Sequence, residues 1–342
     1  MRLDLRGHPL HTRALSVTIV AGDDGAWRAH ASLLDLRKRG FVPVGGDLQS
    51  SGIVHHMQLD ADVDRATGTV RRLDARMPSV AFEPSALTRG ESCRDVAGGV
   101  AALAGARVDG GWAATVGTAI GGPRGCSHVL TLAQLLGPTV AWARARDRAL
   151  HGDAPERRPG ERIFRRDVVV DGVEEEPMVL GLGLQLLDVH HRPADVEPVA
   201  ASMDRFAAAL EVRGHARVRM GTHTLEALTL AERRRRREQM DAPWTPRDDV
   251  AGALDGLSLG RGVSAALVER IRAADDRPVL DALLALAPAL IQVYAAVSET
   301  WPDQAQRDRW LVGLASRPDA CWMWRADGPL LRARAPGDPV LF

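Results

Sequence analysis

Apolar and polar residues alternate with a period of two from Leu15 to Val20. The alternation returns from Trp27 to Leu34 after the turn signal Asp23-Asp24-Gly25, which predicts an antiparallel hairpin. The same pieces recur later as Asp167 to Val170, Asp171-Gly172 in the turn position, and Val179 to Leu187. Both returning strands end in Leu-Leu-Asp, at Leu33 to Asp35 and at Leu186 to Asp188. Ile53 to Val63, Thr67-Gly68 and Thr69 to Met77 predict a second hairpin, with its equivalent around Leu210 to Met220. The period then changes to that of a helix: Cys93 to Leu103, Gly111 to Ile120 and Val129 to Arg146 are predicted helices, and Pro138 should kink the last or start a new one.

The strands and helices occur twice. A shift of 151 residues lays Leu103 on Leu254, Gly105 on Gly256, Gly111 on Gly262, Ala114 on Ala265 and Ile120 on Ile271. After a slip of one residue, Val129, Leu130, Leu136, Pro138 and Ala145 fall on Val279, Leu280, Leu286, Pro288 and Ala295. The expected fold is α+β, a tandem duplication of an antiparallel sheet with helices packed on one face. Residues 1–146 form the first copy, and 147–161, rich in Pro, Gly, Asp and Arg, form a linker. Residues 162–299 form a second copy without thiols, and 300–342 form a tail carrying Trp301, Trp310, Trp322 and Trp324. Such an apolar tail is expected to pack back onto the body, with a homo-oligomer contact through it as the alternative.

Charge narrows the function classes. The 44 basic and 44 acidic residues cancel and are mixed along the chain, which argues against nucleic acid or a membrane surface as partner. The run Arg233 to Arg237, between Glu232 and Glu238, reads as a solvated polar helix end. Met1 to Leu10 has no apolar run of a signal peptide, and Ala282 to Val297, interrupted by Gln292, reads as a buried helix. Three cysteines (Cys93, Cys126 and Cys321) make no disulfide framework, so a cytoplasmic location is expected. Lys38 is the only lysine and stands between Arg37 and Arg39, an arrangement unsuited to Schiff-base chemistry.

The copies differ where chemistry would sit. Cys126 and His128 of the first copy align with Asp276 and Pro278 of the second. Ser127 is the expected N-cap of the helix that follows, which sets the Cys126 sulfur near the positive end of a helix dipole. His55 and His56 adjoin on a strand and point to opposite faces, so one of them can join a site. With Cys93, Cys126 and His128, that histidine supplies the sulfur and imidazole ligands that a divalent metal accepts, zinc first and iron as the other ion. Arg124, in the loop Gly121-Gly122-Pro123-Arg124-Gly125, is suited to hold a substrate carboxylate or phenolate. Asp35 and Asp188 are retained in both copies and read as turn or capping residues. The expectation is a metal-dependent lyase or hydrolase acting on a small organic substrate, aromatic ones included, with Cys126, His128 and Arg124 in catalysis. The alternatives are an iron–sulfur or sulfur-transfer accessory protein using Cys126, and a non-catalytic binding module.

Trp27, Leu34-Asp35, His55-His56-Met57, Cys93, Gly111-Trp112 and above all Gly121-Gly122-Pro123-Arg124-Gly125-Cys126-Ser127-His128 resemble the bacterial domain-of-unknown-function family 2889. The resemblance covers residues 10–146, and the second half, with Cys321-Trp322-Met323-Trp324-Arg325, is similar to the extension of longer members. This family implies no activity. The order of parts is also similar to iron–sulfur scaffold and sulfur-acceptor proteins, a likeness that places Cys93 and Cys126 where scaffold thiolates sit. Where those proteins carry a third cysteine this chain has His55 and His56, which favours a mononuclear metal.

Overall fold

In a computed structural model that describes residues 5–38, 41–44, 47–153, 155–193, 205–298 and 318–332, the alternating segments form long strands. In the first copy these are β1 (His8–Ala21), β2 (Ala26–Arg37), β3 (Phe41–Val44), β4 (Asp47–Ser50), β5 (Ile53–Asp64) and β6 (Val70–Ser79). In the second they are β7 (Arg162–Glu176), β8 (Val179–His191), β9 (Phe206–Arg219), β10 (Thr224–Arg236) and β11 (Thr245–Pro246). β3 and β4 pair only with each other, and the rest make one nine-stranded sheet ordered β11-β10-β9-β8-β7-β1-β2-β5-β6. The order read outward from β1 (β2, β5, β6) repeats outward from β7 (β8, β9, β10), and β1 pairs antiparallel with β7 from His8 opposite Glu174 to Val20 opposite Arg162. The duplication is therefore structural, and the fold is α+β.

Helices cover one face. A 3₁₀ helix (Cys93–Leu103), α1 (Trp112–Ile120) and α2 (Ser127–His151) belong to the first copy. Their counterparts are α3 (Asp248–Ala253), α4 (Val263–Arg270) and the pair α5 (Arg277–Leu284) and α6 (Leu286–Ser298). Strand residues of one phase, such as Val17, Ile19, Ala31, Leu33 and Leu59, or Val168, Val170 and Leu182, are buried beneath them. α2 packs on β1, β2 and β5 and reaches β7 and β8, while α6 lies on β1 and β7, so each copy's last helix spans the junction. The aligned glycines have one physical reason. Gly111 and Gly262 precede α1 and α4 at φ 75° and 84°, and Gly105 and Gly256 sit at φ 84° and 68°, a left-handed region that other residues enter at a cost.

Two local readings are corrected, and a third in part. Asp171-Gly172 is not a turn: β7 runs through it, and the chain reverses at Pro177-Met178, with Met178 at φ 67°. Gly172 answers a packing need, because a Cβ there would lie 2.1 Å from a methyl of Val293 on α6. The arginine run from Arg233 is not a helix end but the end of strand β10, where Arg233 and Arg235 both pair with Glu211 on β9. Pro138 neither ends α2 nor starts a new helix. Trp112 donates its indole N–H to the Ala133 carbonyl at 2.8 Å, and Gly137 leaves the room that the ring fills.

Arg277–Val297 is long and apolar enough to cross a membrane by length and composition, but most of it is buried inside this fold. Trp301 and Trp310 lie outside the described residues. Residues 318–332, which end in α7 (Pro329–Arg332), pack on the first copy. The Trp322 N–H donates to the Gly125 carbonyl at 2.9 Å, Arg325 makes a two-pronged pair with Glu91 at 2.7 and 2.6 Å, and Trp324 stands edge-on to Phe82.

Candidate metal centre

The inward phase of β2 continues from Trp27, Ala29, Ala31 and Leu33 to Asp35, which carries the carboxylate under the helices with no exposure to solvent. Register places Arg13 of β1 directly opposite Asp35 on one side and His55 of β5 opposite it on the other, so the three form one rung across the sheet. Arg13 grips both carboxylate oxygens at 2.8 Å each. His11, two residues earlier on β1, sets Nε2 3.0 Å from Oδ1. His128, in the first turn of α2, comes down from above the rung and sets Nε2 3.3 Å from Oδ2. The His55 and His128 rings stack with centroids 3.7 Å apart.

His55 Nδ1 is 3.2 Å from the same Oδ2 yet is buried without an aligned hydrogen bond. Among the described residues, Asp35, His55 and His128 are the group of three whose ligand atoms all lie within 4.8 Å of one another. Zinc holding nitrogen and oxygen donors at about 2.0–2.2 Å in a tetrahedron spaces neighbouring donors roughly 3.3–3.5 Å apart, close to the two distances from Asp35 Oδ2 to the histidines. The donor set of two imidazoles and one carboxylate suits zinc or iron(II).

The electrostatics keep the carboxylate charged and the imidazoles neutral. Burial works to raise the Asp35 carboxyl, but the Arg13 charge and the hydrogen bonds from Arg13, His11 and His128 outweigh it and hold it well below the usual carboxylate range. Burial, with His55 alongside, pushes the His128 imidazole down to about 3, and burial also lowers His55 and His11. A neutral imidazole is the form that binds metal. On the far side of the His128 ring, Nδ1 is 3.7 Å from the Cys126 sulfur. From the second copy, Gln292 of α6 brings its amide within 3.3 Å of His128 Nε2.

The second copy has a parallel rung without histidines. Arg166 grips Asp188 at 2.7 and 2.6 Å, and Leu210 stands where His55 does. A second carboxylate, Asp281, pairs with the other side of Arg166, and Arg277 pairs with Asp281. Burial and the neighbouring Asp281 raise Asp188 against the pull of Arg166, the opposite outcome from Asp35. This is a closed ionic knot.

The other residues expected at the site lie elsewhere. His56 points to the open face of the sheet, near the Ser32 hydroxyl and the Gln58 amide. Cys93 is buried at the head of the 3₁₀ helix, behind Ser92, which caps it in a reciprocal box with Asp95. Arg124 is exposed and donates to the Gly117 carbonyl at 3.0 Å, closing the end of α1. The N-cap of α2 is Cys126, one residue before the expected Ser127. Arg13 and His11 went unrecognised in the sequence, Asp35 was read as a turn or capping residue, and Gln292 only as an interruption of an apolar helix. Their signal was polar residues standing in the buried phase of a strand, or alone in an apolar helix. Two surface depressions, about 390 Å³ over Arg28, His30 and Asp60 and about 1100 Å³ beside Arg65 and Arg144, lie away from this centre.

The rung residues, the stacked histidines and the Gly-Cys-Ser-His turn all fall within or at the limits of a segment, residues 11–142, that matches the family model described as "Protein of unknown function (DUF2889)". That segment, less than half of the chain, is similar to the DUF2889 family. No curated protein and no solved structure matches the chain. His11, Arg13, Asp35, His55 and His128 lie inside the matched segment, and Gln292 is supplied from outside it.

Proposed function

We propose that the segment similar to DUF2889 binds one divalent cation, zinc first and iron(II) as the other candidate, through Asp35, His55 and His128, and that the chain is a metal-dependent lyase or hydrolase. The observation that carries this reading is the convergence of three ligand atoms within 4.8 Å, those of buried Asp35 and His55 and of half-buried His128. A bound cation supplies Lewis acidity toward a substrate oxygen. The chain's own residues do the rest. Arg13 and His11 occupy Asp35 so that Oδ2 keeps its charge and its direction. Cys126 accepts from Nδ1 of His128 and so favours the tautomer whose Nε2 lone pair faces Asp35, the outer-shell role that orients a metal-binding imidazole. Substrates in this reading are small organic molecules, and the place of action is a reducing, cytoplasmic one, which suits the free cysteines.

One observation favours a second reading. Cys126, His128 and Asp35 form a chain from thiol to imidazole to carboxylate, 3.7 and 3.3 Å long, in the order nucleophile, base and orienting group. In that reading His128 carries its proton on Nε2 and no metal is needed. The experiment is metal analysis of untagged protein, with His55→Ala and Cys126→Ser beside it and hydrolysis of a panel of small esters and lactones as the activity readout. About one zinc or iron per chain, lost in His55→Ala with the fold intact by circular dichroism, upholds the metal reading. Protein that takes up neither ion, and whose hydrolysis depends on Cys126 alone, replaces it with the thiol reading.

A further inference from the structure

Arg13 leaves the carboxylate of Asp35 little charge to give. Its Nε and Nη2 hold the two oxygens at 2.8 Å each, and the side chains are 2% and 0% exposed, so the pair is neutral and shut away from water. Asp35 is the single carboxylate in the group of three ligands, and His55 and His128 bring no negative charge. A divalent cation held there keeps both of its charges unopposed, in a place where an unpaired charge is costly. The centre is short of an anion.

The second copy supplies its own. Arg166 pairs with Asp188 and, on its other side, with Asp281 of α5. Under the alignment that lays Val129 on Val279, Asp281 falls on Thr131 of α2, whose hydroxyl donates to the Ser127 carbonyl at 2.9 Å. The first copy thus has a neutral residue where the second has its extra carboxylate. What stands beside His128 instead is a donor, the Gln292 amide nitrogen, 3.3 Å from Nε2. Once Nε2 turns its lone pair to a cation, that amide loses its acceptor, and its hydrogens are left for whatever lies next to the cation. The side chains of His55 and His128 are 9% and 12% exposed against 0% for Asp35, so the histidine side is the one that faces solvent.

The geometry points to a small carboxylate as the ligand that completes this centre, one oxygen on the cation and the other accepting from the Gln292 amide. It rests on the cation proposed for Asp35, His55 and His128, and it narrows the substrates of that site to carboxylic acids bound as anions. A neutral amide or ester brings no charge to oppose the cation. A phenolate brings the charge but a single oxygen, which leaves the Gln292 amide without an acceptor of its own. A carboxylate meets both needs. The coupling is reciprocal: whatever factor the cation adds to carboxylate affinity, the carboxylate adds to cation affinity. Because Gln292 belongs to the second copy, the ligand sits where both copies reach it, and the second copy becomes part of the site rather than a brace for it.

Cobalt(II) in place of zinc makes the test visible, because its absorption changes with its coordination. The full-length protein is loaded with cobalt and titrated with acetate and, as the uncharged control of the same shape, with acetamide. Acetate should give a saturable spectral change and tighten cobalt binding roughly tenfold, and acetamide should do neither. In Gln292→Leu the acetate affinity should fall roughly tenfold, the loss of one hydrogen bond to a charged group. Gln292→Glu brings the missing anion in on α6, so this variant should hold cobalt more tightly than the wild type and lose the response to acetate. A cobalt protein that treats acetate and acetamide alike overturns the inference and leaves the cation reading standing. So does a Gln292→Glu protein that responds to acetate as the wild type does; if that variant does not fold, the wild-type comparison decides alone. A chain that takes up no cobalt overturns both.

Discussion

The Gln292 amide nitrogen lies 3.3 Å from Nε2 of His128, a contact made between the second copy and the first across 164 residues. Its counterpart is reciprocal. Gln292 aligns with Trp142 of α2, a helix that reaches β7 and β8 in turn. Each copy therefore extends its last helix over the other's strands.

That exchange predicts the effect of Gln292→Leu. The substitution keeps the apolar character of α6 and removes the polar neighbour of the proposed metal ligand His128. Zinc affinity at the Asp35 site should fall roughly tenfold, as for other outer-shell groups, while the unfolding midpoint changes little. Calorimetric titration beside a urea melt measures both, and an unchanged affinity removes Gln292 from the centre.

The second rung should be purely structural. Arg166→Met leaves Asp188 and Asp281 buried beside each other, and stranding a buried charge costs about 3–5 kcal/mol. Carboxyls whose folded pKa lies above the unfolded value bind more protons folded than unfolded, so the lost stability should partly return as pH falls from 7 toward 4. Urea unfolding of this variant across that range is the measurement, and a deficit that grows on acidification contradicts the arrangement.

Acid sensitivity should run the other way in the wild type. Burial, with the charges of Arg146, Arg166, His191 and His151, pushes His190 down to about 3, against an ordinary 6.5. The unfolded chain then binds the extra proton between those values, so stability should fall as pH drops below 6.5. His190→Gln should make that fall shallower, and equal slopes for the two proteins would show that His190 does not contribute.

Gly172→Ala tests the packing of the central junction. The added methyl meets Val293 head-on in the middle of β7, where neither strand nor helix can step aside cheaply. A loss of about 1–3 kcal/mol is expected in chemical denaturation, and Val293→Ala in the same chain should recover part of it.

Much of the architecture was legible because its causes are local. Alternation marked the hairpins, and repeated left-handed glycines such as Gly111 and Gly262 marked matching helix starts. The Asp171-Gly172 turn failed because Gly172 is small for the sake of Val293, more than a hundred residues away, and no local pattern reports such a partner. The candidate metal centre was half legible. His55 and His128 stood out by residue type, but Asp35 was discounted because Asp188 matched it, and the two differ only in what surrounds them. Gln292 was noticed as an interruption of an apolar helix, and its purpose depended on a neighbour 164 residues away.

The antiparallel seam of β1 with β7 has a mechanical consequence. Two copies joined only by a tether could swing apart, and a ligand might enter as they opened. Copies that share one continuous ladder of hydrogen bonds have no hinge axis between them, so the sheet behaves as a single stiff plate. Traffic to the buried rung of Asp35 cannot come from one half rotating against the other. It must pass by local movement of side chains and helix ends around Cys126 and His128, where residues 318–332 are strapped down by backbone contacts and the pairing of Glu91 with Arg325.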